Sequence, residues 1–147
     1  MKLAIGCDHG GFDLKAPLLD YLKQKHPEVS VVDMGTNSKD SVDYPDFGIA
    51  VARAVSEKKV DRGLLICGTG IGISIAANKV KGVRAALVYS ELTAEMSRKH
   101  NDANVLCLGA RTTEPEMAKK ILEIWLTTAF EGGRHQGRLD KISNIEK

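Results

Sequence analysis

Five short apolar runs, each separated from the next by a stretch with helical spacing, constrain this chain more than anything else in it. They are KLAIGC (2–7), VSVVDM (29–34), RGLLIC (62–67), GVRAALV (82–88) and ANVLCLG (103–109). All are near-continuously apolar rather than strictly alternating. Such strands are buried on both faces, as in a parallel sheet covered by helices. Between the runs, Leu14, Leu18 and Leu22 recur every four residues, as do Phe47, Val51 and Val55, and Met117, Ile121 and Trp125. Each set gives one apolar stripe able to cover a sheet face. Strands alternating with helices imply βαβ units with right-handed crossovers. Pro17 interrupts the first helical stretch and is tolerable near a first turn or at a kink. Ser90 is placed to cap a helix over ELTAEMSRKH. Thr113 and Glu116 form a capping-box pattern, with Pro115 in the first turn.

A chain of 147 residues fits one domain, here 1–147. Its tail, about 131–147, opens on a glycine break and reads as an appendage with a final short helix. With 21 basic and 19 acidic residues the net charge is +2, which makes no global case for nucleic acid or for an anionic membrane. No apolar run approaches the ~20 residues that span a bilayer, and the N-terminus does not read as a signal peptide. Cys7, Cys67 and Cys107 form an odd set without a C-x-x-C pair. That argues against disulfides and a cysteine-type zinc site, and for reduced thiols in the cytoplasm.

In open α/β sheets, ligands bind beyond the carboxyl ends of the strands. The first strand delivers Asp8 and His9 there, the third delivers Cys67 and the loop Gly68–Gly72, and the fifth delivers Arg111. His100 and Asn101 end the helix before the fifth strand. These segments are expected to converge on one crevice.

The loop CGTGIG admits few readings. Gly68, Gly70 and Gly72 make G-x-G-x-G, not the dinucleotide spacing G-x-G-x-x-G. The loop also follows the third strand, and no acidic residue ends the following strand. A Walker A loop needs G-K-[ST], which is absent. A thiol phosphatase needs a closing arginine, and none lies between Cys67 and Lys79. What remains is a ring of backbone N–H groups at a helix N-terminus, suited to an oxyanion, carboxylate or phosphate. A thiol at such a place ionises more readily. A thiolate beside an anion hole suits proton abstraction next to a carbonyl, the loop stabilising the enediolate oxygen.

Plainer roles compete. Cys67 can be a small buried hydrophobe at a strand end, and for Cys7 and Cys107 that reading is preferred. His9 after Asp8 can simply help cap a helix, and His100 can be a cation at a helix C-terminus. His26, beside Pro27, reads as surface. Arg134, His135 and Arg138 are either a solvated tail or a phosphate clamp, with the two arginines on one helix face at i, i+4.

The segments GCDHGGF, DYPDF, CGTGIGISIAANK, HNDANVL and EGGRHQGR, in this order and spacing, resemble ribose-5-phosphate isomerase B and the wider group that includes galactose-6-phosphate isomerase subunits. The resemblance spans essentially the whole chain. It implies a three-layer α/β/α Rossmann-like fold with a five-stranded parallel sheet. It implies a homodimer, sometimes paired into a homotetramer, with sites between subunits, no metal and no organic cofactor. It implies interconversion of ribose 5-phosphate and ribulose 5-phosphate. By motif, Cys67 resembles the base and Thr69 its hydroxyl partner. Gly68, Gly70 and Gly72 resemble the anion hole, assisted by Asn101. His100 and Asp8 resemble the ring-opening pair. His9, Arg134 and Arg138 resemble the phosphate site, with Arg111 contributed across the dimer, and Tyr44 a residue packing on the sugar. Ile73 stands where another branch of the family places a glutamate, so this chain falls in the thiol branch. A six-carbon sugar-phosphate isomerase and a non-catalytic sugar-phosphate sensor are the rivals.

Overall fold

The five apolar runs become β1 (Lys2–Cys7), β2 (Ser30–Asp33), β3 (Arg62–Cys67), β4 (Ala85–Leu87) and β5 (Val105–Gly109). The computed structural model describes every residue from Met1 to Lys147. The strands form one parallel sheet in the order β2-β1-β3-β5-β4. Its helices are α1 (Phe12–Lys25), α2 (Tyr44–Ser56), α3 (Ile71–Asn78), α4 (Glu91–Lys99), α5 (Pro115–Thr127) and α6 (Arg134–Ile145). No helix is long and apolar enough to cross a membrane.

The expected stripes cover the sheet from both sides. Leu14, Leu18 and Leu22 of α1 and Ile121 and Trp125 of α5 pack on Leu3, Ile5, Leu64, Ile66, Leu106 and Leu108. Val51 and Val55 of α2 and Ile73 and Ala77 of α3 pack on Ala4, Leu65, Val105 and Cys107. Successive strand residues serve opposite layers, which is why the runs are apolar throughout.

Some local expectations need correcting. β4 is only three residues long, because Gly82 takes a positive φ of 83° and the Arg84 N–H is held by the Asn104 side chain at 2.7 Å. Pro17 sits inside α1, in its second turn. The carbonyl its missing N–H leaves free belongs to exposed Asp13, where water can cover it. The Thr113 capping box does not form. α5 starts at Pro115 with Glu114 at the cap, and the Thr113 hydroxyl is buried without a partner. Ser90 does cap α4, accepting the Thr93 N–H at 3.1 Å while Thr93 answers with its own hydroxyl. His26 is not a free surface group. It is wedged between Glu28 at 3.1 Å and Glu123 of α5.

Candidate active site

From β1 the chain departs toward β2, and from β3 it departs through α3 toward β4 on the other side. The carboxyl ends of β1 and β3 therefore flank a topological switch point, where such sheets open a crevice. Asp8 is buried there, its carboxylate accepting the Gly11 N–H at 3.0 Å. The Nδ1 of His9 accepts the Val42 N–H at 3.1 Å, tying the loop before α2 to the mouth of β1. That bond puts the ring proton on Nε2, which stays free to donate.

Cys67 ends β3 and is 5% exposed. Its sulfur accepts the Gly70 N–H at 3.1 Å, across the turn that opens α3. Gly70 holds φ at +78°, a left-handed conformation that a side chain would strain. The turn thus aims a backbone donor at the thiol because a glycine stands there. Gly72, in the first turn of α3, lies under Tyr44. A Cβ at Gly72 would come within 2.6 Å of the tyrosine ring. The Thr69 hydroxyl, exposed at the rim, accepts the Ile71 N–H at 3.2 Å. Arg111 follows β5, donates its N–H to the Gly68 carbonyl at 2.9 Å, and lays its guanidinium against Gly68. Within its own chain it therefore lies beside the glycine loop.

The expected convergence on a single crevice does not occur within one chain. α4 runs back from the carboxyl edge to the amino edge of the sheet, so His100, its C-cap, and Asn101 lie at the amino edge. Asn104, just before β5, bonds Arg84 and Gly63 at the strand starts. Cys67 pairs with Gly109 at the other end of β5. Four residue steps separate Val105 from Gly109, or about 13 Å of strand. Arg134 and Arg138 go with His100: Glu131 bonds the Lys99 carbonyl at 3.1 Å, and His135 stacks on His100.

Two arginines build the His100 turn. Buried Arg98 donates to Asp102 at 2.8 Å, the Ala103 carbonyl at 2.7 Å and the Thr128 carbonyl at 3.2 Å. Arg84 donates to the carbonyls of Asn101 and Asp102 at 2.9 and 3.0 Å. Together they hold Asp102 at φ +44°. Sequence reasoning missed this clamp, because Arg98 in SRKHND reads as an ordinary basic helix end and its burial is set only by the fold. No group of three or more His, Cys, Asp or Glu side chains is arranged to hold a metal.

A buried thiol that accepts a backbone N–H from a glycine turn, at the switch point of a parallel α/β/α fold, suits a protein that handles small anionic substrates and their protons. Residues 3–142 match the family described as Ribose/Galactose Isomerase, and the chain belongs to it. It is 49% identical over 146 residues to ribose-5-phosphate isomerase B of Escherichia coli, covering 99% of this chain and 97% of that one. The structure of ribose-5-phosphate isomerase B from Clostridium thermocellum superposes with a TM-score of 0.96 at 53% identity, covering 99% and 97% of the two chains. The Mycoplasma genitalium ribose-5-phosphate isomerase B, solved with bound ribulose-5-phosphate, gives 0.93 at 48% identity, covering 99% and 95%.

Proposed function

We propose that this chain is a ribose-5-phosphate isomerase, interconverting D-ribose 5-phosphate and D-ribulose 5-phosphate. The observation that carries the reading is the Cys67 sulfur held at 3.1 Å by the Gly70 N–H at the mouth of the glycine loop. It occurs in a chain about half identical to enzymes of that activity.

The reaction moves one proton from C2 of the open-chain aldose to C1 and one between the sugar oxygens. Cys67 as thiolate takes the C2 proton and returns it to C1. The enediolate oxygen bears the charge in between and is stabilised by loop N–H groups aimed at it. Thr69 at the rim passes the hydroxyl proton. Ring opening needs a donor at the ring oxygen and an acceptor at the anomeric hydroxyl, roles for His100 and Asp8. Arg134 and Arg138 bind the phosphate with the free Nε2–H of His9.

His100, Asn101 and the two arginines reach Cys67 from a second copy of the chain. A two-fold dimer brings the amino-edge cluster of each copy over the crevice of the other, giving two equal sites. The surface beside the crevice supports this. Ile71, Leu87 and Tyr89 are exposed there and line an apolar groove of about 260 Å³, and Ile75 of α3 and Leu92 of α4 are also exposed. On α6, Ile142 and Ile145 are exposed as well. A cytoplasmic setting fits the three unpaired thiols.

The test is turnover by the purified chain, with EDTA present, on ribose 5-phosphate, allose 6-phosphate and galactose 6-phosphate. Dominant activity on the pentose phosphate is expected. Preference for a hexose phosphate would move the substrate and keep the mechanism. Binding without turnover would leave a sensor and sink the proposal.

A further inference from the structure

We propose that His135 is a positioning residue, the flat platform that sets the ring plane of His100. The inference rests on the reading of His100 as the ring-opening donor. The two imidazoles stack with centroids 4.3 Å apart and 15° between their planes. They come from different elements, the C-cap of α4 and the first turn of α6.

Within its own chain the His100 ring makes no side-chain hydrogen bond, and its aromatic contact is the stack on His135. A histidine that exchanges a proton with substrate needs its nitrogens for that purpose and for the proton's onward path. Orienting the ring by a hydrogen bond would occupy one nitrogen. Stacking fixes the plane and leaves both edges open.

His135 is built for support rather than for contact with solvent or substrate. It is 4% exposed, and its Nε2 is buried without a partner. An unpaired buried nitrogen costs stability that an apolar filler would not. The fold itself is anchored one turn later by buried Leu139, on the same face of α6. Burial, first, and then the positive field of His100, Arg134 and Arg138 push the His135 ring below the usual histidine range, with Glu131 opposing. The platform thus favours its neutral form. Filling the space alone would be served by any apolar side chain of that volume, whereas setting a ring plane needs a planar one.

Two variants separate these roles. H135L keeps burial and loses planarity; H135F keeps both. With ribose 5-phosphate, H135L is expected to lose between about ten- and a hundredfold in kcat with KM little changed. H135F is expected to recover most of that loss. Proton NMR of the free protein supplies a reading without substrate. The ring-current displacement of the His100 Cε1 proton should be present in the wild type and H135F and absent in H135L. Wild-type kcat in folded H135L would overturn the proposal. So would an equal fall in both variants, a loss confined to KM, or a His100 resonance indifferent to residue 135. Absence of turnover in the wild type would instead sink the isomerase reading, and the NMR comparison would still decide the platform.

Discussion

Burial pushes the Cys7 and Cys107 thiols up, and for Cys107 nearby Cys67 adds to the effect. Both side chains are fully enclosed in the layers that flank the sheet, and a thiol held protonated there is a small hydrophobe. Cys67 differs by place, not by chemistry of the residue. It stands at the last position of β3, with a backbone donor on its sulfur. Cys67→Ala should therefore lower kcat by about 10²–10⁴-fold, the range a positioned base contributes. Binding of ribulose 5-phosphate, measured by calorimetry, should survive. Near-normal turnover would remove Cys67 from the chemistry. The difference in setting among the three cysteines was legible in the sequence, because only Cys67 runs directly into alternating glycines, at 68, 70 and 72, whereas Asp8 and His9 separate Cys7 from Gly10 and Gly11, and Cys107 lies inside its apolar run. The partner of His100 was not. His100 and His135 are separated by two elements and meet only through the path of the chain after α5, which no local pattern encodes.

Among the elements, α1 and α5 carry a coupling that sequence periodicity cannot show. Their apolar stripes predicted that each covers the sheet. The same stripes say nothing about the polar flank where Tyr21 and His26 meet Glu123. The Tyr21 hydroxyl donates to Glu123 at 2.6 Å, and burial followed by that carboxylate pushes the phenol up to about 12. His26 is raised above the usual histidine value, chiefly by its bond to Glu123 and then by Glu28. A raised histidine stabilises the fold while it is charged. Its contribution is fully present below the unfolded value of about 6.5 and fades as pH climbs through the raised folded value. His26→Ala should thus lower Tm most near about pH 5.5, and the gap to wild type should close toward about pH 9. A gap that widens with pH in paired thermal melts would contradict the assignment. Burial acts on His135 with the opposite sign: its lowered value favours the fold above about 6.5 and is lost as pH falls. The two histidines therefore act in opposite senses, with the α1–α5 clamp weakening on the alkaline side and the α6 stack on the acid side.

For the whole molecule, the direction of a crossover helix decides where a site can be. Fold class and sheet were legible because a doubly covered parallel sheet leaves near-continuous apolar strands and striped helices. The rule that ligands gather at carboxyl ends expected Asp8, His9, Cys67 and Arg111 at that edge, and they lie there. Extending it to His100 and Asn101 failed, since those residues end a helix rather than a strand and so emerge at the amino edge. The motif set is therefore split between two ends of one chain, separated by the length of β5. Such a split has a consequence that single-variant kinetics cannot imitate. Cys67→Ala and His100→Ala are each expected to be inactive as homodimers, because every site lacks one group. In the mixed dimer, one crevice lacks both groups, while the other pairs the intact Cys67 of one copy with the intact His100 of its partner. Random reassortment makes half of the dimers mixed, so the equimolar mixture should recover about a quarter of wild-type activity. If each chain instead built its own site, every crevice in the mixture would stay defective and the activity would remain at the level of the single variants. Coexpressing the two chains under different affinity tags, purifying the doubly tagged species and measuring its turnover on ribose 5-phosphate separates the cases. Half of wild-type activity per mixed dimer is the result that a shared site requires.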